Sequence, residues 1–411
     1  MLTKYFDGKS VLGAQIEEAP SGDLSLVVVI PAMNEAGLIH SLISLDECQK
    51  PTVSVEVIVV INHPEGVAAQ IVEANKRIWI QAKDWADRHS TDALRYHVLY
   101  HPDLSAKKGG VGMARKIGMD EAARRLLVAG NGEGVIACYD ADCLCDPGYL
   151  NAIIDFFMLY PDVEGGSIYF EHPLNGLEKS ELDAIVYYEL HLRYFINAQR
   201  WAQFPYAYQT VGSSMAVRAS TYIKVGGMNM RKAGEDFYFL HKVIERGAHS
   251  ELNTTAVLPS ARSSDRVPFG TGKAVADQLK RRDQTTYNPR CFEDLRMFFT
   301  SVPEFYTSAE TDVVMNDLPV SMREFLMTQK FNDVLKEIKS NTASATSFEK
   351  RFYRWFNAFR LMKYVHYARD NFFPDVEIDV AAEWLFEQLK IDPVGDLESR
   401  LIQLRKFDKK T

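Results

Sequence analysis

Apolar positions in the first half of the chain follow two alternating patterns. Continuous β-branched runs at 24–30, 53–61, 96–100 and 135–139 predict strands buried on both faces. Between them, 34–45, 65–88, 112–128 and 148–160 have helical composition. Arg124-Arg125 near the end of the third helix suits its dipole, and Pro147 predicts the start of the fourth. Further on, 178–201 reads as one long aromatic-rich helix, 210–218 as a strand and Gly226-Gly227 as a turn. The segment 235–246 reads as a helix closed by Gly247, and 254–258 as a last strand. Ser, Pro and Gly without periodicity make 263–272 a loop. From 273 onward strand signals fade and the pattern is helical, broken at 340–347. No internal repeat is visible. The expected organisation is an α/β domain over 1–272 and a helical region over 273–411.

Strand–helix alternation predicts a mostly parallel sheet flanked by helices. Ligands of such sheets bind beyond the carboxyl ends of the strands. Three polar clusters fall at such ends: 31–35, Asn62-His63 and 140–142.

The 411 residues are 46% hydrophobic and 25% charged, which is ordinary for a globular protein with a sizeable core. A net charge of −8 argues against general nucleic-acid binding, which needs a basic surface. Cys48, Cys138, Cys143, Cys145 and Cys291 are odd in number and irregularly spaced. A disulfide framework is not expected, and a reducing, cytoplasmic setting is. Cys143 and Cys145 have no second Cys/His pair nearby to complete a zinc site, so they read as thiols packed near a strand end. Residues 1–6 carry no signal-peptide pattern, and the apolar run 24–31 is too short to span a bilayer.

Asp140-Ala141-Asp142 follows an apolar strand directly. Two carboxylates at a strand end can share a hard cation such as Mn²⁺ or Mg²⁺, completed by waters and substrate phosphates. The competing reading is a polar loop. Gly234-Glu235-Asp236 opens a helix, where an acid either favours the dipole or serves as a general base. In Lys107-Lys108-Gly109-Gly110-Val111-Gly112-Met113-Ala114-Arg115, glycines before a helix allow close backbone approach, and Lys108 and Arg115 add charge for an anion. The string is neither a Walker nor a Rossmann motif. Arg262 and Arg266, beside Gly270-Thr271-Gly272, form either a diphosphate clamp or a solvated loop. Apolar residues Phe348, Phe352, Trp355, Phe359 and Met362 recur at helical spacing with basic residues between them. That is either a membrane-surface helix or a packed helix with a basic outer side.

Taken in order, Val29-Ile30-Pro31-Ala32-Met33-Asn34-Glu35, the Gly-rich 109–118 segment, Tyr139-Asp140-Ala141-Asp142, Val225-Gly226-Gly227-Met228 and Gly234-Glu235-Asp236 resemble the motifs of family 2 glycosyltransferases. The resemblance covers roughly 24–258. It implies a GT-A fold, a nucleotide-diphosphate sugar donor and inversion at the anomeric carbon. It also implies that Pro31, Ala32, Asn34 and Glu35 line the nucleoside pocket. Asp140 would lie near ribose and metal, and Asp142 would ligate the metal. Gly212, Ser213, Gly226 and Gly227 would lie near sugar and acceptor, with Asp236 as base and Glu235 beside it. The family's usual Asp-Asp-Gly-Ser-like string is here Val60-Ile61-Asn62-His63-Pro64. Asn62 still offers a donor and an acceptor to a base edge. UDP is the first expectation and GDP stays open. A retaining transferase of the same fold is the enzymatic alternative, and a nucleotide-sugar-binding protein without catalysis is the other. The acceptor is unspecified, a glycan or lipid-linked sugar being candidates, with peripheral contact at the inner membrane face as an option.

Overall fold

The computed structural model describes residues 2–105, 109–231, 233–262, 271–281 and 284–410. The chain forms two compact units, one of Met1–Leu177, Gln209–Ala276 and Asp408–Thr411, the other of Glu178–Tyr208 and Asp277–Phe407.

The first unit carries the sheet. Its strands are β1 (Leu26–Ala32), β2 (Val55–Pro64), β3 (Leu94–Leu104), β4 (Val135–Cys138), β5 (Leu144–Cys145), β6 (Gly165–Phe170), β7 (Met215–Arg218) and β8 (His249–Leu258). Its helices include α1 (Leu2–Gly8), α2 (Leu38–Asp46), α3 (Ala69–His89), α4 (Val111–Val128) and α5 (Tyr149–Leu159). Helix α6 (Lys179–Trp201) belongs to the second unit, and α7 (Ala219–Lys224) and α8 (Glu235–Ile244) to the first.

Among the described residues the strand order is β3-β2-β1-β4-β7-β6-β8-β5. The first four strands are parallel, as the alternation predicts. The sheet then turns mixed, because β7 runs antiparallel to both β4 and β6. Every residue of β1 is buried, and all of β2 except Pro64, which matches their continuous β-branched runs. The fold is therefore the expected α/β class: a large, mostly parallel sheet flanked by helices, with a helical C-terminal region.

Several local differences have physical causes. Strand β6 has a weak apolar signal because it opens Gly165-Gly166. A Cβ at Gly165 would stand 2.6 Å from Val243 Cγ1, so the position needs no side chain. Strand β3 is longer than 96–100 because β2 pairs with it as far as Leu104. Strand β8 likewise starts at His249, where β6 pairs with it. Within 210–218 only Met215–Arg218 is a strand, since Ser214 N donates to Val211 O in a turn. Thr271 and Gly272, read as part of a turn, open a helix instead (Thr271–Arg281).

Helix α4 packs hard against the sheet. A Cβ at Gly118 would lie 2.4 Å from Val29 Cγ1 and 3.1 Å from Val60 Cγ2. Alanine there gains about 1 kcal/mol of helix propensity, but overpacking against two fixed valines costs about 1–3 kcal/mol. Gly118→Ala is thus expected to lower stability by roughly 1 kcal/mol, the balance of those terms. Urea denaturation checks this, and a stabilised variant would contradict the close packing.

The second unit is helical around an aromatic core that includes Phe292, Phe298, Phe305, Phe331, Phe352 and Phe386. The aromatic stripe at 348–373 is two helices, Ala345–Trp355 and Ala358–Asn371. Asn357 separates them, its side chain accepting from Arg360 N. Phe348 and Phe352 are buried in that core, so the packed alternative accounts for the stripe. No helix among the described residues is long and apolar enough to cross a membrane.

Candidate active site

The site lies at the carboxyl ends of β1, β2 and β4, in the first unit. Its centre is Arg115 on the first turns of α4, with a side chain only 4% exposed. Arg115 Nη2 donates to Asp140 Oδ1 at 2.5 Å, and Nη1 donates to Glu235 Oε1. One guanidinium thereby links the acid motif after β4 to the first turn of α8. A Cβ at Gly212 would meet both Nη atoms at 2.6 Å, so the guanidinium lies directly on the Gly212 backbone. Gly112 removes a second obstacle: its Cβ would stand 2.2 Å from Arg231 O in the loop leading to α8. Gly109, Gly112 and Gly118 of the 109–118 string thus serve close packing, and Arg115 is engaged with carboxylates.

Gly234 caps α8 in the left-handed region at φ 69°, which glycine adopts freely. That turn sets Glu235 and Asp236 at the helix start with different surroundings. Glu235 is buried beneath Arg115, and Asn229 Nδ2 donates to its carbonyl at 2.9 Å. Asp236 is half-buried, and its Oδ1 accepts from Phe237 N at 2.8 Å. Burial pushes both carboxyls above the ordinary carboxylate range, and the Arg115 charge opposes that rise. Asp236 is the more accessible of the two.

A second ion-pair centre stands beside the first. Arg262 Nη2 donates to Glu35 Oε2 and, at 3.2 Å, to Asp142 Oδ2. Glu35 is buried and its Oε1 accepts from Gly37 N at 2.8 Å. The Asp142 side chain is 27% exposed and that of Arg262 43%. Asp140-Ala141-Asp142 therefore joins two arginine–carboxylate clusters. Lys108 and Arg266, the other expected phosphate ligands, lie outside the described residues.

The β1 and β2 ends are tied together by Asn75 on α3, a residue the sequence pattern does not single out. Asn75 is fully buried; its Oδ1 accepts from Asn34 N at 2.7 Å and its Nδ2 donates to Asn62 O at 3.1 Å. Asn34 sits at φ 50°, which asparagine tolerates better than most residues. Pro31 and Ala32 are buried in β1 above this turn. Asn62 is 2% exposed, and its Nδ2 has no hydrogen-bond partner among the described residues; the same holds for His63 Nε2. Gly110 caps α4, next to Gly109, whose Cβ would stand 2.6 Å from Pro64 Cβ. Gly227 is elsewhere. It sits under the Tyr5 hydroxyl, which a Cβ there would meet at 1.9 Å.

That tyrosine is part of a strap along α4. Asp120 accepts from the Tyr5 and Tyr222 hydroxyls, each at 2.6 Å, and from Val11 N at 3.2 Å. Glu121 accepts from Gln15 N and Ile16 N. The N-terminal segment thus covers charged residues of α4 and fixes the helix that carries Arg115.

A hard divalent cation takes oxygen ligands. Asp142 offers a partly exposed carboxylate, which Arg262 also engages, and among the described residues no group of three or more His, Cys, Asp and Glu is placed to hold a metal ion by itself. Such a site would be finished by ligand phosphates and water, as is usual for Mg²⁺-type ions.

No protein-family model matches the chain, and no curated protein matches it significantly. Among solved structures, it is similar to S. aureus TarS 1-349 in complex with UDP-GlcNAc, at 15% identity and a TM-score of 0.41, over 90% of this chain and 94% of that one. It is also similar to mannosyltransferase PcManGT from Pyrobaculum calidifontis in complex with GDP-Man and Mn2+, at 14% identity and a TM-score of 0.36, over 99% of this chain and 95% of that one. Likenesses this distant carry neither donor nor metal over to this chain.

Proposed function

We propose that the chain is a glycosyltransferase that moves a sugar from a nucleotide-diphosphate donor to an acceptor hydroxyl, with inversion. The observation that carries this reading is the convergence of Asp140, Asp142, Glu235 and Asp236 on Arg115 and Arg262 beyond the parallel strand ends. Acids placed there can serve a displacement at a phosphorylated sugar, and a buried arginine can hold them in register. Asp236 accepts the proton of the acceptor hydroxyl as its oxygen attacks the anomeric carbon. The bond to the diphosphate breaks on the opposite side, and the diphosphate leaves with its electron pair. Asp142, with Asp140 beside it, would hold Mn²⁺ or Mg²⁺, which would supply charge stabilisation to the departing diphosphate. The unpartnered Asn62 amide would meet the edge of the nucleobase. UDP is the first donor nucleotide to try and GDP the second. Positioning and electrostatics would account for most of the rate gain.

Arg262 is half exposed and bridges Glu35 and Asp142, so a diphosphate entering the cleft would compete for its guanidinium. Arg262→Ala is expected to weaken donor binding by about tenfold or more, the loss of one charge-assisted contact, and to lower thermal stability as well, because it leaves the buried Glu35 carboxylate without its cation. Calorimetry with donor and Mn²⁺ checks it; unchanged affinity would leave the arginine as the counter-ion of Glu35 and Asp142 only.

The reading as a whole is tested by a panel of UDP- and GDP-sugars with Mn²⁺. A matching donor should raise the melting temperature and release nucleotide when an acceptor is supplied. Proton NMR of the product then reads the anomeric configuration. If no nucleotide sugar stabilises the protein and none is consumed, the reading fails. A retained configuration would favour the retaining alternative.

A further inference from the structure

Two thiols from distant parts of the chain meet beside the acid motif. Cys48 lies just past the end of α2, and Cys145 ends β5, three residues beyond Asp142. Their Sγ atoms are 3.7 Å apart. Ser44 in the last turn of α2 holds both. Cys145 N donates to Ser44 Oγ at 3.0 Å, and Cys48 Sγ donates to Ser44 O at 3.4 Å. Cys48 is buried and Cys145 partly exposed, so one sulfur is reachable from solvent and the other waits behind it. The other cysteines have different surroundings: Cys138 meets Met119 Sδ, Cys143 is fully buried and Cys291 lies in the second unit.

We propose that Cys48 and Cys145 are a reversible dithiol–disulfide pair, oxidised by low-molecular-weight disulfides of the glutathione type. Closing the gap from 3.7 Å to about 2.05 Å needs a shift of about 1.6 Å, shared between two side chains at element ends. The step balances by thiol–disulfide exchange. The Cys145 thiolate attacks one sulfur of the small disulfide and expels the first small thiolate. The Cys48 thiol gives up its proton and attacks the Cys145 sulfur of the mixed disulfide, expelling the second. Two protein thiols become one S–S bond, and one small disulfide becomes two small thiols. The local chemistry suits this order. The contact with Cys48, with Ser44 beside it, lowers the Cys145 thiol, while the same contact and burial push the Cys48 thiol up. The reachable sulfur is thus the better attacker and the buried one the resolver.

The bond would tie the end of α2 to β5. Helix α2 follows Glu35, and β5 follows Asp142, the two acids that Arg262 bridges. Any consequence for donor binding rests on the proposed function; the bond itself does not, and its test needs no nucleotide.

The full chain, reduced and then exposed to oxidised glutathione without denaturant, is alkylated after unfolding and mapped by mass spectrometry. Two of the five cysteines should become unreactive, joined as one Cys48–Cys145 peptide and released by dithiothreitol. The oxidised protein should melt higher than the reduced one. C48S should stop at a lasting glutathione adduct on Cys145, and C145S should take up neither bond. The proposal is overturned if all five thiols stay reactive in the wild type, if Cys145 pairs with Cys143, or if a glutathione adduct persists on wild-type Cys145.

Discussion

Asp236→Asn should lower turnover by about 10²–10⁴-fold, the usual contribution of a general base, while donor affinity stays near wild type. Asparagine keeps the size of the side chain, and its Oδ1 can still accept from Phe237 N as Asp236 does. What it lacks is a site for the proton. Glu235→Gln should be less severe in chemistry, because Glu235 is buried against Arg115 and acts by positioning. The two carboxyls are neighbours and titrate as a pair, so the pH profile reports apparent values for both. Burial raises them, so wild-type turnover should rise with pH through a midpoint above the ordinary carboxylate range. Single-turnover rates and donor affinity, measured for both variants, decide. If Glu235→Gln loses turnover and Asp236→Asn does not, the base is Glu235. If both stay active, the inverting mechanism is wrong.

The parts of the site legible in the sequence are those carried by local signals. β-branched runs announce β1, β2 and β4, and the acids and amides just past them fall at the strand ends by construction. Gly234 before two acids announces the start of α8. What is hidden depends on partners far along the chain. The Gly-rich string reads as an anion loop because nothing local reveals that Gly112 faces Arg231 and that Arg115 reaches Asp140, Glu235 and the Gly212 backbone. Lys116, Asp120 and Glu121 give α4 the look of a solvated face, yet the segment from Tyr5 to Ile16 covers them. Asn75 stands inside an ordinary amphipathic helix, where its bonds to Asn34 and Asn62 leave no periodic trace. The 178–201 helix is evident from composition, but its membership of the second unit comes from packing with residues a hundred positions later.

Arg115→Met tests the centre of the site in a way that separates charge from packing. Methionine fills much of the space over Gly212 but cannot pair with Asp140 or Glu235. Removing one partner of a buried ion pair costs about 3–5 kcal/mol. The lower end, about 3 kcal/mol, is expected here because the Asp140 side chain is 37% exposed and can regain water. Lysine should restore only part of this, since one ammonium cannot reproduce the fork that spans two carboxylates. The pH dependence has a definite sign. Glu235 and Asp236 are raised in the folded protein, so the stability they contribute is fully present below their unfolded values and is lost as pH rises through the raised ones. Arg115 is the largest influence opposing the rise. Without it the folded values climb further, the loss runs to higher pH, and the acid limb of the turnover profile moves up with it. The variant's deficit should therefore be largest at neutral pH. It should shrink in acid, where both carboxyls are protonated and only the packing loss remains. Urea midpoints of wild type, Arg115→Met and Arg115→Lys at neutral and acidic pH measure this. An equal deficit at both pH values would reduce Arg115 to a packing residue and remove the electrostatic link between Asp140 and the Asp236 base.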